Sequence, residues 1–131
     1  MITKADLLRC WTISGECRSI RNRIERLRAA MECATSQIKK IPAKRTRKDK
    51  LGVQIAKLDE LERSLVERAI ALEEICKKID AWAYDNLTPT QALIIRLRYA
   101  DRLPWWIVAD KSNYSVRHCT RIHGAILEKI S

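Results

Sequence analysis

Ten apolar positions, Cys10, Ile13, Cys17, Ile20, Ile24, Leu27, Met31, Ala34, Ile38 and Ile41, follow one another at strictly alternating spacings of three and four residues. A strand has a period of two and would scatter these side chains over both its faces, whereas a helix gathers them into one seam of coiled-coil type. Pro42 ends the run. The seam resumes with Leu51, Leu58, Leu65, Leu72 and Ile79 in one heptad position and Leu61, Ile75 and Trp82 in the other, interrupted by Gln54 and Arg68. Between the two runs, Pro42 to Lys50 carries Lys44, Arg45, Arg47, Lys48 and Lys50 with little apolar content, so it is expected as a loop or a frayed end. Two helices of roughly 35 residues, each on the order of 50 Å long, follow from this spacing.

The short connection and the opposite charges of the two helices favour an antiparallel hairpin. Arg18, Arg21, Arg26 and Arg28 then lie across from Glu60, Glu62, Glu67, Glu73 and Glu74. Single exposed pairs of this kind contribute only about 0–1 kcal/mol, but their sign pattern selects the partner. A two-helix seam buries little surface for its length, so a homodimer or packing against the remaining chain is expected. The antiparallel arrangement brings Leu7, Leu8 and Trp11 towards Trp82 and Tyr84, where the C-terminal segment is expected to dock.

Three glycines, three prolines and no phenylalanine in 131 residues, without alternating β-type runs, make an all-α fold the expectation. Five cysteines at 10, 17, 33, 76 and 119 form no C-x-x-C pair, and their odd count argues against both a disulfide framework and a zinc finger. They read as small core residues. His118 and Cys119 are neighbours that diverge on a helix, so no metal site is expected with His123, and no cofactor is implied. No nucleophile with a base, paired-carboxylate site or phosphate-cradling glycine loop is visible, which reads as a protein that is not an enzyme. The N-terminal Met-Ile-Thr-Lys-Ala-Asp-Leu-Leu lacks a signal-like apolar core, and nowhere do eighteen apolar residues run together. A cytoplasmic protein without a membrane partner is expected.

The net charge of +10 is uneven, with +9 in residues 1–50, −3 in 51–87 and +4 in 88–131. A basic balance of this kind favours a polyanion, because each neutralised phosphate releases condensed counterions.

From Leu87 the pattern changes to short helices with strong start and stop signals. Thr88-Pro89-Thr90-Gln91 is a T-x-x-Q capping box with proline at the first helical position, opening a helix that runs to about Ala100 and buries Leu93, Ile94, Leu97 and Tyr99. A second short helix opens at Pro104 and contains Ala109, whose small side chain allows a close crossing. Ser112-Asn113-Tyr114 supplies a turn with Asn113 as the left-handed residue, and Ser115 caps a last helix. There Cys119, Ile122, Ile126 and Ile130 face inward, leaving Val116, Arg117, His118, Thr120 and Arg121 outward. Trp105-Trp106-Ile107-Val108 is apolar on more sides than one core face needs, so part of it is expected to cover Trp11 or a partner surface.

The stretches L-T-P-T-Q-A-L-I-I-R-L-R-Y and I-V-A-D-K-S-N-Y-S-V-R-H-C-T-R-I-H resemble the region 4 helix-turn-helix of sigma-70 type transcription factors, and more closely phage and prophage regulators of the ArpU/RinA type. Gln91, Arg98-Tyr99, Ala109 and Ser115 fall on the pattern; Asn113 replaces its turn glycine, and Trp106 and Ile107 replace acidic residues. The resemblance covers about a third of the chain. It implies double-stranded DNA binding through the helix that starts at Ser115, with RNA polymerase as a further expected contact.

The expected organisation is therefore a long antiparallel hairpin over 1–87, serving dimerisation, followed by a small helix-turn-helix DNA-binding domain over 88–131. Arg117 and Arg121 are the candidates for guanine edges or phosphate, His118, Thr120 and Val116 for base edges or backbone, and Ser115 for a phosphate. Lys111, Tyr114 and Arg102 are expected to position the duplex. An RNA polymerase-binding adaptor, a small terminase-like DNA-packaging protein and a coiled-coil interaction module are the competing expectations.

Overall fold

The computed structural model of the chain describes the backbone of residues 1–40 and 45–130 and the side chains of 1–33 and 49–130. Every regular element among them is helical: α1 (Lys4–Lys40), α2 (Arg45–Asn86), α3 (Pro89–Ile95) running on into a π-helical turn (Arg96–Ala100), α4 (Trp105–Ser112) and α5 (Val116–Lys129). The fold is all-α, with α1 and α2 as a long helical hairpin. The seam positions Ala34 and Ile38, together with Ile41 and Pro42, lie outside the residues whose side chains are described.

One expectation at the base of α2 is corrected. The helix already begins at Arg45, so residues 45–50 are not a loop. Lys and Arg are good helix formers, and a scarcity of apolar residues does not by itself exclude a helix.

The chain divides into two compact units, one made of Met1–Glu16 with Ala69–Ser131 and the other of Cys17–Arg68. This division does not follow the 87/88 boundary, because the two ends of the hairpin belong to the same body as the short C-terminal helices. We call the first unit the body and the second the arm.

In the body, Asp6 accepts from Lys78 at 3.1 Å and Cys10 Sγ meets Cys76 Sγ at 3.9 Å, so the two helices run antiparallel. Ile2, Leu7, Cys10, Ile75, Ile79, Ile95, Ile126 and Ile130 form one buried cluster, which joins the hairpin ends to α3 and α5. A second cluster of Ile94, Leu97, Val108, Ala109 and Cys119 lies among α3, its π turn, α4 and α5. Since α3 is clasped between both clusters, the adjacent residues Ile94 and Ile95 are buried and Leu93 is 36% exposed, contrary to the expectation that Leu93 would face the core. Leu7 docks as expected, while Leu8 and Tyr84, at 62% and 89% exposure, do not take part.

In the arm, Cys17, Ile20 and Ile24 of α1 are buried, whereas Leu51, Leu58, Leu61 and Leu65 of α2 are only half-buried. Of the expected charge pairs, Arg28 Nη2 and Glu62 Oε1 meet at 2.7 Å with both side chains well exposed. Cys33 is exposed and is thus not a core residue, unlike Cys10, Cys17 and Cys119. Among the described residues no helix is long and apolar enough to cross a membrane.

Candidate nucleic-acid interface

The candidate surface is built from local signals that the backbone obeys closely. Thr88 and Gln91 close a reciprocal capping box, each side chain accepting from the other's backbone N–H at 3.3 and 3.1 Å, which satisfies orphan amides at the start of α3. Pro104 precedes α4 as its N-cap, one residue earlier than the helix proper. Val108 and Ala109 are buried under the crossing with α5. Asn113 ends α4 at φ 62° and ψ 31°, the left-handed conformation expected of it, and Tyr114 N–H returns to Ala109 C=O at 3.1 Å. Ser112 Oγ lies 3.3 Å from Cys119 Sγ, so the turn is tied to the inner face of α5.

Ser115 then caps α5, its Oγ accepting from His118 N–H at 3.1 Å. Because the hydroxyl serves the cap as an acceptor, its own proton remains free to donate outward. Cys119 and Ile126 are fully buried on the inner face of α5, and Ile130 lies just past its end. The outer face presents Val116, Arg117, His118, Thr120 and Arg121, all exposed, next to exposed Lys111, Tyr114 and Ser115. Thr120 Oγ1 donates to Arg117 C=O at 2.9 Å, which leaves it lone pairs and a methyl group to offer. The Tyr114 ring tilts against His118 at 4.8 Å, restricting both. Gly124, seven residues beyond Arg117, is exposed on the same helix with nothing within 4 Å of a Cβ built on it.

Arg102 is the one predicted site residue that the structure places elsewhere. It has left-handed backbone at φ 52°, and its guanidinium lies 4.6 Å over the Trp11 ring, against the face of α1 where Gly15 has no Cβ. A flat guanidinium fits an aromatic face and a bare backbone surface, so Arg102 joins α1 to the C-terminal helices instead of pointing outward.

Beneath the outer face, Arg98 lies between two indoles, 4.5 Å from the Trp11 centroid and 4.6 Å from that of Trp105, and donates to Leu103 C=O at 2.9 Å. Tyr99 hydroxyl and His123 Nε2 share a hydrogen bond of 2.6 Å, with the Trp105 ring edge-on to His123 at 5.0 Å. Burial, with Arg98 nearby, lowers the His123 pKa below its ordinary value of 6.5, and burial raises that of Tyr99. His123 is thus a neutral member of the support for α5, on the side away from Arg117 and Arg121. Ser14 Oγ donates to Ala100 C=O at 2.8 Å, capping a carbonyl at the end of the π turn. Trp105 therefore belongs to the interior contacts, while its neighbour Trp106 is 68% exposed.

This arrangement can present a helix with two guanidiniums, an imidazole, a hydroxyl acceptor and an N-terminal serine to a polyanion, held by a rigid crossing behind it. No family model, curated protein or solved structure significantly matches the chain.

Proposed function

We propose that this protein is a sequence-specific, double-stranded DNA-binding transcriptional regulator of the phage or prophage type, with α5 as the helix that enters the major groove. The carrying observation is the outward row on α5, in which Arg117 and Arg121 stand exposed one turn apart on a helix that is capped by Ser115 and buried along its opposite face. A helix fits the B-DNA major groove, and Arg pairs bidentately with guanine O6 and N7. In this reading Arg117 and Arg121 contact guanine or phosphate, Thr120 accepts from an exocyclic amine or packs on a thymine methyl, and Ser115 donates to a phosphate. Lys111 and Tyr114 hold the backbone. The protein works as a homodimer on a two-part site, a reading supported by the half-buried leucines of α2 and by Val53, Ile55 and Val66, which are 55%, 46% and 57% exposed.

The test is unbiased selection of bound duplex fragments together with the mass of the complex, followed by titration of the selected site. Arg117→Ala and Arg121→Ala should each weaken binding to it by about 1–3 kcal/mol, with relaxed preference at one position. Unchanged binding in both variants refutes the assignment.

A second reading, that of an RNA polymerase-binding adaptor, is favoured by Trp106, whose indole is 68% exposed and belongs to neither buried cluster. In that case polymerase capture is lost in Trp106→Ala and kept in the arginine variants.

A further inference from the structure

We propose that the arm is itself a binding surface for the phosphate backbone of duplex DNA, centred on the groove between α1 and α2 that Arg23, Arg26 and Lys57 line. The inference extends the DNA-binding reading to a second surface and rests on observations separate from α5. The first is where the charge lies. Residues 17–68 hold 15 Lys/Arg against 7 Asp/Glu, a net +8 to which Lys39, Lys40, Lys44, Arg45, Arg47 and Lys48, outside the described side chains, contribute six, while the body that carries α5 holds 11 against 9, a net +2. By sequence, residues 17–68 thus carry most of the chain's excess positive charge, and excess positive charge attracts a polyanion.

The second observation is that the groove cations form no ion pair with a described carboxylate, although Arg26 Nε donates to the Asn22 carbonyl of its own helix at 3.4 Å. Arg23, Arg26 and Lys57 are exposed and line an open groove of about 770 Å³ with Leu27, Glu60, Leu61 and Ser64. None of these three cations is within ion-pair distance of a described carboxylate, although Glu60 lines the same groove, whereas Arg28 is held by Glu62. Cations left unneutralised on a helical scaffold are ready to exchange counterions for phosphates.

The third observation chooses the polyanion. Residues 17–68 contain no Phe, Trp or Tyr. Single-stranded nucleic acid is held by stacking bases on aromatic rings, and protein interfaces are anchored by buried Trp, Tyr and Arg. The arm offers no aromatic ring for either purpose. Nine of its 15 cations are Arg, whose planar fork matches phosphate oxygens two at a time. Duplex backbone needs only this, and it is contacted without regard to sequence.

The experiment is fluorescence anisotropy of the full chain on a 30-base-pair duplex of arbitrary sequence, over a salt series. The triple variant Arg23→Gln, Arg26→Gln, Lys57→Gln should lower the slope of log affinity against log salt by about 2.7, at ~0.9 per lost phosphate contact. Glu60→Gln should move affinity the opposite way. An unchanged slope in the triple variant with unchanged affinity in Glu60→Gln overturns the arm as a DNA surface, and leaves α5 to be judged by Arg117→Ala and Arg121→Ala on the selected site. If those two variants have no effect while the slope falls, the α5 reading fails and the arm stands. Absence of duplex binding by the unaltered protein sinks both. Polyglutamate of equal charge competing as well as duplex DNA would reassign the groove to acidic protein and overturn the proposal.

Discussion

The body and the arm continue the same two helices with the same apolar period, yet the body buries the seam of both helices while the arm buries only that of α1. In the body the seam residues of α2, Ile75 and Ile79, are covered because α3 and α5 add their own buried residues to them. In the arm Leu58, Leu61 and Leu65 of α2 stay half-buried, although Cys17, Ile20 and Ile24 of α1 are buried. All seven Trp and Tyr residues lie in the body, and four-fifths of the net charge lies in the arm. A heptad pattern thus specifies which way side chains face, but how much water they lose is decided by the packing around each position.

The largest expected effect tests the difference in closure. Ile126→Ala, at a fully buried site shared by α5 and the hairpin ends, should cost about 2–5 kcal/mol in urea unfolding. Leu58→Ala in the arm should cost clearly less, because a half-buried side chain forfeits less transfer energy and leaves no closed cavity. Equal losses would show that the arm is covered in solution, as a dimer interface would cover it.

Smaller and opposite in sign are two glycine substitutions. Gly52 of α2 and Gly124 of α5 both stand in helices with nothing within 4 Å of a built Cβ. Replacement by Ala should stabilise each by about 0.5–1 kcal/mol, read from thermal or urea midpoints. A loss at Gly52 would again point to a partner seated on the arm.

The smallest effect is a dependence on pH confined to the body. His123 has its pKa lowered by burial and by Arg98, so the unfolded chain binds a proton there more readily than the folded one. Stability is then complete above the ordinary value of 6.5 and falls as pH drops below it. His123→Gln should flatten the change in urea midpoint between pH 7.5 and 5.5. An identical slope in the variant would remove His123 as its source.

Features set by a few neighbouring residues were legible in the chain itself. The capping box of Thr88 and Gln91, the left-handed Asn113, the Ser115 cap and the outward row from Val116 to Arg121 all stand where spacing and backbone chemistry put them. Each depends on contacts within about four residues, so the local sequence carries nearly all the information. The helical start of α2 at Arg45, where a loop or a frayed end is expected, is not legible because a hydrophobic pattern reports burial rather than helicity.

What local signals could not supply is the choice of partner for residues that have more than one option. Leu93 or Ile95 could face inward on α3, and only the arrival of two clusters on opposite sides selects Ile95. Arg102 is as basic as Arg117, but the bare surface at Gly15 and the ring of Trp11 draw it inward, from 87 residues away in sequence for Gly15. The same long-range meeting places Arg98 between Trp11 and Trp105 and turns His123 into a support for Tyr99. Period, caps and turn chemistry thus determined the helices and the open face of α5, while tertiary packing decided which charges were consumed holding the body together and which were left for a partner, because desolvation and cation–π contact exist only once distant segments meet.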